Sequence, residues 1–199
     1  MRIVVIGSTG TIGAAVARAL STRHEVIGVH RNSDPRVDIT DIQTIAKLFA
    51  SVTDIDAVVS CAGDAVFKRL AQLTDADFAF AIGHKLMGQV NVIRHALQHV
   101  RHRGSITVTT GVLAHEPIPG SATASLVNCG LEGFARAAAL EAPRGLRVNV
   151  VSPPWVTETL VKLGMDPSNG LPADDVARAY VAAVEGTETG QILDPARFV

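Results

Sequence analysis

The sequence predicts a three-layer α/β/α domain in which helices cover both faces of a mostly parallel sheet. Short apolar runs rich in β-branched residues alternate with helical patterns along the chain, which is typical of parallel strands joined by crossover helices. A glycine-rich turn follows the first apolar run and leads into a helix of small apolar residues. We therefore expect a doubly wound sheet of seven strands in the order 3-2-1-4-5-6-7.

Length, composition and charge exclude several classes of protein. The 199 residues fit a single α/β domain, and a hydrophobic content of 47% is enough to bury a core. A net charge of -1 without a long basic run gives no footprint for nucleic acid, and no apolar stretch is long enough for a membrane span. Because a strand occupies the first residues, we expect no signal peptide. Two separated cysteines favour a reducing, cytoplasmic setting.

The apolar runs and the turn residues between them predict the individual elements. The predicted strands are 2–6, 25–29, 37–39, 56–60, 105–110, 146–151 and 191–194. The predicted helices are 14–20, 41–51, 78–100, 122–141 and 174–184, and residues 74–77 have the pattern of the start of the third. Glycines at positions 83 and 88 interrupt the third of these helices. The chain between strands two and three is too short for a crossover helix, so that edge of the sheet is trimmed.

The turn after the first strand has the glycine spacing of a diphosphate-binding loop. Gly7 permits the tight turn, Gly10 lets the backbone approach a diphosphate, and Gly13 allows the helix to pack closely on the strand. The amide groups that begin the helix then face the anion. An ordinary strand-to-helix turn is the alternative, but the flanking elements favour nucleotide binding. The candidate phosphate-binding residues are Gly7, Ser8, Thr9, Gly10, Thr11, Ile12 and Gly13.

The end of the second strand favours NADP(H) over NAD(H). A carboxylate there would bind the ribose hydroxyls of NAD, whereas an arginine accommodates the 2′-phosphate of NADP. The sequence has Arg31, Asn32 and Ser33 at this place, and no acidic residue ends the strand. A solvated loop arginine is the alternative interpretation.

Six segments follow one another in the order of a known family. They are the glycine turn and residues 37–40, 61–63, 104–110, 131–141 and 147–153. In these segments the chain resembles the short-chain dehydrogenase/reductase family over nearly its whole length. The resemblance implies a Rossmann-type fold and an NADP(H)-dependent oxidoreductase of a small carbonyl or alcohol substrate. It also implies cofactor contacts at Asp38, Ile39, Cys61, Ala62, Gly63, Pro153, Trp155 and Val156.

The residues at the family's catalytic positions are altered. Alignment on 131–141 places Ala124 where the family has its proton-exchanging tyrosine, and Asn128 where it has a lysine four residues later. No Tyr-x-x-x-Lys occurs anywhere in the chain. Thr110 replaces the catalytic serine and keeps a hydroxyl. Lys85 stands where the family has the asparagine that organises a proton-relay water.

Two functions follow from these changes. If Lys85 restores a positive charge near the nicotinamide ribose or polarises a substrate carbonyl, the catalytic candidates are Thr110, Lys85 and Asn128; a surface lysine is the alternative. His115 titrates in the right range to donate a proton, and an exposed loop histidine is the alternative there. The second function is an NADP(H)-binding sensor or scaffold without efficient turnover.

Histidines and a single tryptophan carry weaker indications. His84, His95, His99 and His102 share one helical face, which predicts a polar face rather than a metal site because no carboxylate or cysteine joins them. Trp155 either lines the nicotinamide or packs in the core. We predict no metal ion for this chain.

The last third of the chain bears on substrate size and assembly. The segment 157–171 is short where longer relatives have a substrate lid, which predicts an open or small pocket. The resemblance implies a homodimer or homotetramer through two paired helices. Small residues at Ala135, Ala138 and Ala139 would permit the close helix approach.

Overall fold

A computed structural model describes all 199 residues and shows one parallel sheet of six strands. The strand order is β2-β1-β3-β4-β5-β6, and every neighbouring pair is parallel. The strands are β1 (Arg2–Ile6), β2 (Glu25–Val29), β3 (Ala57–Ser60), β4 (Ser105–Thr109), β5 (Arg147–Val151) and β6 (Ile192–Leu193).

Seven α-helices connect the strands or flank the sheet. They are α1 (Thr11–Ser21), α2 (Ile42–Ser51), α3 (Asp75–Ala81), α4 (Gly88–His99), α5 (Ala122–Glu141), α6 (Thr157–Lys162) and α7 (Ala173–Glu185). A π-helical turn, Ile82–Met87, joins α3 to α4. None of the helices has the length and apolar character needed to cross a lipid bilayer.

Two apolar cores lie on opposite faces of the sheet. Helices α2, α4 and α5 cover one face, where Leu48 and Leu131 are fully buried. Helices α1 and α7 cover the other face, where Val16 is fully buried. Neighbouring side chains of β1 alternate between them, so Val4 faces the first core and Val5 the second. Burial on both faces explains why the strands are continuously apolar rather than alternating with polar residues.

The predicted strand at 37–39 is wrong, and the sheet has six strands rather than seven. Val37 and Ile39 are buried, as their apolar character suggests. The backbone N–H of Asp38, however, donates to Oγ1 of Thr44 (3.0 Å) instead of to a neighbouring strand. The segment is therefore an extended loop fixed to the start of α2. The remaining strands keep their predicted order, with β2 at the edge.

The other predicted elements agree with the structure. Helix α5 has the predicted bounds, β1 and β2 agree with the prediction at both ends, and the other strands differ by one residue at one or both ends. The long helix starts within 74–77 as predicted, because α3 begins at Asp75 after a capping box formed by Thr74 and Asp77, and α4 ends at His99. The interruption predicted at its two glycines is the π-helical turn, a feature frequent at functional sites.

Candidate functional site

Two adjoining cavities open at the carboxyl ends of the strands, the edge where doubly wound sheets bind ligands. The larger cavity, of about 470 Å³, is lined by the glycine turn, the loop after β2 and the end of β3. The smaller cavity, of about 210 Å³, lies between the π-helical turn, the end of β4, α5 and the segment after β5. Gly63 and Asp64 line both cavities.

The predicted cofactor residues divide between these two cavities. Those lining the larger cavity are Gly7, Thr9, Gly10, Arg31, Asn32, Asp38, Ile39, Cys61, Ala62 and Gly63. Those lining the smaller cavity are Ile12, Gly63, Pro153, Trp155 and Val156. The predicted residues that line neither are Ser8, Thr11, Gly13 and Ser33. The hydroxyl of Ser33, for example, is held within its own loop by the backbone of His30 and Pro35.

The glycine turn needs its glycines for steric reasons. Gly7 has a φ of +82°, and a Cβ there would lie 3.1 Å from the backbone of Cys61 and Ala62. A Cβ on Gly13 would overlap the carbonyl of Gly7. Gly10 lines the larger cavity and precedes α1, whose first N–H groups have no side-chain cap. This arrangement suits an anionic group.

Arg31 and Asp38 supply opposite charges to the larger cavity. Burial raises the pKa of Asp38, but hydrogen bonds from Thr40 and the charges of Arg31 and Arg36 lower it, and the net shift is downward. Asp38 is therefore a carboxylate that accepts hydrogen bonds. The exposed side chain of Arg31 leaves its guanidinium accessible at the cavity wall.

Neither Cys61 nor the single tyrosine provides reactive chemistry. Burial raises the pKa of the Cys61 thiol to about 12, despite hydrogen bonds with Thr109 and Tyr180, so the thiol stays protonated. Tyr180 is fully buried on α7, with its Oη 2.6 Å from Oγ1 of Thr109. Burial also raises its pKa well above the ordinary value. The tyrosine does not line the smaller cavity.

Lys85 extends from the π-helical turn into the smaller cavity. Its Nζ donates to the carbonyl oxygen of Thr110 (3.2 Å). Burial lowers the pKa of Lys85 to about 8, and the charge of Asp64 raises it only in part. Gly63, with a φ of +138°, leaves the necessary room, because a Cβ there would lie 2.9 Å from Cγ of Lys85. The alternative interpretation of Lys85 as a solvated surface lysine is therefore wrong.

Asn128 and Ala124 face the same cavity from α5. Nδ2 of Asn128 donates to the carbonyl oxygen of Gly111 (3.3 Å), while its buried Oδ1 has no partner. Ala124, one turn earlier, presents only a methyl group. Lys85 and Asn128 thus bind consecutive carbonyls after β4, which brings the two exchanged residue types together. The unpaired Oδ1 needs a donor, which a bound ligand would supply.

A buried carboxylate that the sequence analysis missed lies behind Thr110. Oγ1 of Thr110 donates to Oε1 of Glu132 (3.1 Å), and Oε2 of Glu132 lies 2.9 Å from Nε2 of His115. The side chain of Glu132 is 5% exposed and that of His115 is 56% exposed. The available signal was a charged residue on the buried face of α5, four residues after Asn128. His115 is paired rather than isolated in its loop.

Aromatic residues and α6 complete the walls of the smaller cavity. The rings of Phe67 and Trp155 both line it, with centroids 6.4 Å apart. Trp155 is therefore a wall residue rather than part of the core. The sequence analysis also missed Lys162 at the end of α6, whose Nζ donates to Oγ1 of Thr11 (2.6 Å). This contact connects the short lid segment to the glycine turn.

The histidine face predicted on the long helix packs mainly against aromatic rings. His95 and His99 stack on Phe49, with centroids 6.3 and 5.3 Å apart. Burial, with the nearby charges of His99 and Arg94, lowers the pKa of His95. His84 stacks on Phe80. The chain has no group of three or more histidines, cysteines or carboxylates arranged to hold a metal ion.

The fold and the two cavities define a doubly wound α/β protein with a dinucleotide-type cavity beside a small second pocket. A family profile described as enoyl-(acyl carrier protein) reductase matches residues 7–189. The chain therefore belongs to the short-chain dehydrogenase/reductase family.

Three similar proteins place the chain within this fold. The solved structure of the protein lin1944 from Listeria innocua is 40% identical, covers 98% of both chains and has a TM-score of 0.93. A short chain dehydrogenase from Burkholderia cenocepacia J2315, solved in complex with NADP, is 23% identical over 97% of this chain and 95% of its own, with a TM-score of 0.83, and shares the fold. The hydroxynaphthalene reductase-like protein Arp2 of Metarhizium majus is 27% identical over 176 residues, covering 75% of this chain and 66% of Arp2. The match thus spans just under two thirds of that relative.

Proposed function

We propose that this chain is an NADP(H)-dependent oxidoreductase that interconverts small carbonyl compounds and alcohols, with Lys85 acting where the family uses a tyrosine and a lysine. The observation that carries the proposal is the half-buried side chain of Lys85 in the smaller cavity, whose Nζ donates to the carbonyl oxygen of Thr110 and whose lining includes Asn128. A lysine held in such a place has no structural partner except one backbone carbonyl. Its charge is therefore available to a substrate.

The larger cavity supports NADP(H) as the cofactor. The amide groups at the start of α1 would hold the diphosphate, Arg31 the 2′-phosphate, and Asp38 a donor of the adenine ring. The unpaired Oδ1 of Asn128 would accept from a ribose hydroxyl. A bound nicotinamide would supply or accept the hydride. The Burkholderia dehydrogenase, which has the same fold, holds NADP.

Lys85 can stabilise the charge that develops during the reaction. Hydride addition to a carbonyl carbon leaves negative charge on the oxygen, and an ammonium in a buried site stabilises that charge strongly. With a pKa of about 8, Lys85 is mostly protonated at neutral pH. One of its three N–H groups is used by Thr110, so the others remain for the substrate oxygen.

The smaller cavity indicates a small substrate with an apolar part. Its volume of about 210 Å³ lies below the range typical of drug-sized ligand pockets. Phe67 and Trp155 form one wall, and the methyl group of Ala124 occupies the place of a bulkier tyrosine. The polar side chains that line the cavity are Asp64, Lys85, Thr110, Asn128 and Thr159.

A sensor or scaffold that binds NADP(H) without turnover is the second candidate. The observation that favours it is the loss of any phenol from the cavity, since the single tyrosine is buried on the other side of the sheet. A lost general acid costs about 10²- to 10⁴-fold in rate. A homodimer or homotetramer remains a prediction for either function.

Cofactor titration followed by turnover assays tests the proposal. Trp155 is the only tryptophan, so energy transfer from its ring reports NADPH or NADH entering the adjoining cavity. Nicotinamide absorbance then follows the reaction with a panel of small aldehydes and ketones. We expect tighter binding of NADPH and a rate that Lys85→Met abolishes but Lys47→Met, at an exposed site on α2, does not. NADPH binding with no turnover on any substrate would favour the sensor, and no binding would contradict both functions.

A further inference from the structure

We infer that Glu132 takes up and returns the proton of the proposed reaction, acting through the hydroxyl of Thr110 and exchanging with solvent through His115. The inference rests on the proposed function and adds a proton route that replaces the missing tyrosine. Lys85 then stabilises charge on the substrate oxygen, while Glu132 is a positioning and relay residue behind Thr110.

The buried carboxylate has only two side-chain partners. Glu132 lies on the face of α5 that packs against the sheet, and its residue exposure is 4%. Burying a carboxylate is costly unless it is paired or hydrogen-bonded. Its two oxygens bind different groups, since Oε1 accepts from Thr110 and Oε2 pairs with His115. The three side chains therefore form a continuous path from the cavity wall to the surface.

This path fixes the direction of the Thr110 hydroxyl. A carboxylate only accepts hydrogen bonds, so the single proton of Thr110 points to Glu132 and away from the cavity. Oγ1 then offers lone pairs to the cavity, while Lys85 offers N–H groups. The pair is complementary to an alcohol, whose oxygen accepts from Lys85 and whose proton is donated to Thr110.

The proton and the electrons balance in alcohol oxidation. The alcohol loses its carbinol hydride, with both electrons, to the oxidised cofactor, and its oxygen becomes a carbonyl oxygen. The O–H proton passes to Oγ1 of Thr110 as the Thr110 proton passes to Oε1 of Glu132. His115, the protonated partner of the ion pair, releases one proton to water. Rotation of the carboxyl group then passes the Glu132 proton to the free Nε2 of His115, which restores the starting ion pair. Carbonyl reduction follows the same steps in reverse, with the proton taken from water.

His115 is suited to exchange protons with solvent. Its side chain is 56% exposed, so the ring reaches solvent, and imidazole nitrogens can both accept and donate protons. The ionisable groups on the helix packed against its turn are Cys129, Glu132 and Arg136, and its own loop adds Glu116. Glu132 alone of these forms an ion pair with His115.

A purely structural role does not account for the pair of Glu132 and His115. The turn Val112–Ala114 is already fixed to α5 because Sγ of Cys129 donates to the carbonyl oxygen of Ala114 (3.2 Å), and the N–H of Val112 donates to Pro153. The fold thus holds this turn without Glu132. The Glu132 carboxylate instead orients the Thr110 hydroxyl, and we therefore assign it a role in the smaller cavity.

The test compares variants that keep shape but lose the proton. Glu132→Gln keeps an acceptor oxygen for Thr110 and takes up no proton, and Glu141→Gln at the exposed end of α5 is its control. Thr110→Val removes the hydroxyl at equal size, and Thr110→Ser keeps it. We expect E132Q and T110V to lower kcat by about 10²- to 10⁴-fold with NADPH Kd and thermal stability unchanged. E141Q keeps the wild-type rate, and T110S recovers the rate that T110V loses.

His115 provides a second, independent readout. His115→Ala should lower kcat less than E132Q does, and added imidazole should restore it, which a structural role would not produce. Full activity of E132Q, or loss of stability and NADPH binding in parallel with its rate, would overturn the relay while leaving the proposed function intact. A wild-type chain that binds NADPH without turning over any substrate would overturn the proposed function and the relay with it.

Discussion

The two cavities differ in what builds them. The larger cavity is formed mainly by backbone: a left-handed glycine, the uncapped start of α1 and the close approach of β1 to the end of β3. The smaller cavity depends on a few side chains, and Lys85, Thr110 and Asn128 are among its polar ones. Backbone sites tolerate change at most positions except their glycines. Side-chain sites change their chemistry with each substitution.

This difference explains how one region keeps the family pattern while its neighbour departs from it. The diphosphate cradle needs only peptide groups and room, so its sequence signature survives. Acid–base chemistry needs particular groups at particular distances, and we propose that Lys85 and the Glu132 path meet that need here instead of a phenol. Binding and chemistry are therefore separable by mutation, with the following expected effects.

The largest effect is expected on the reaction rate, when Lys85 is replaced. Lys85→Met should lower kcat/KM for carbonyl reduction by about 10²- to 10³-fold, the loss typical of removing one group that stabilises a developing oxyanion. NADPH affinity should change little, because Lys85 lines only the smaller cavity. Steady-state kinetics and calorimetric titration measure the two quantities. An equal loss of affinity and rate would mean that the lysine serves the cofactor instead.

A substitution in the glycine turn is expected to change cofactor binding instead of the chemical step. Gly13→Ala should weaken NADPH binding by about 100-fold or more, because its Cβ overlaps the carbonyl of Gly7 and displaces the turn. Gly133→Ala on α5, where a Cβ meets nothing within 4 Å, is the control. Titration by Trp155 fluorescence checks the affinity, and circular dichroism checks folding. Unchanged affinity in a folded G13A chain would contradict the role of this turn.

A pH effect of about tenfold is expected on the reaction rate. Lys85 carries its charge only below its lowered pKa of about 8, so the rate should fall as pH rises through 8 and be about tenfold lower at pH 9. The same burial makes stability rise with pH between about 8 and 10.5, since the unfolded chain binds more protons in that window. Chemical denaturation across this range, with K85M as the pH-insensitive control, measures the second effect.

The smallest effect is expected in cofactor preference. Arg31→Ala should weaken NADPH binding by about tenfold and leave NADH binding unchanged, because an exposed guanidinium contributes one charged contact to a 2′-phosphate. Arg36→Ala is the neighbouring comparison, since Arg36 already lies 3.7 Å from Asp38. Equal losses for NADPH and NADH would remove Arg31 from any role in preference.

Sequence patterns predicted the fold well because burial is periodic along the chain. They predicted all six strands to within one residue at either end, the bounds of α5 and the place of the π-helical turn. They failed at 37–39, where apolar residues anchor a loop instead of a strand, because burial does not reveal which group an amide binds.

The sequence predicted only those site residues whose type and place in a motif were informative by themselves. Lys85, Thr110 and Asn128 do line one cavity, as their places in the motifs suggest. Glu132 and Lys162 were missed because their importance comes from partners far along the chain, at Thr110 and Thr11. Local sequence contains no trace of such long-range pairing.

The most direct test of the account is to titrate Lys85 itself. NMR of selectively labelled lysine, assigned with K85M, gives the pKa of Lys85, and the pH profile of kcat/KM gives the midpoint of activity. The account predicts one shared value near 8. A Lys85 that titrates at its usual value near 10.5, or a rate indifferent to its charge, would contradict the claim that this lysine replaces the missing tyrosine and lysine.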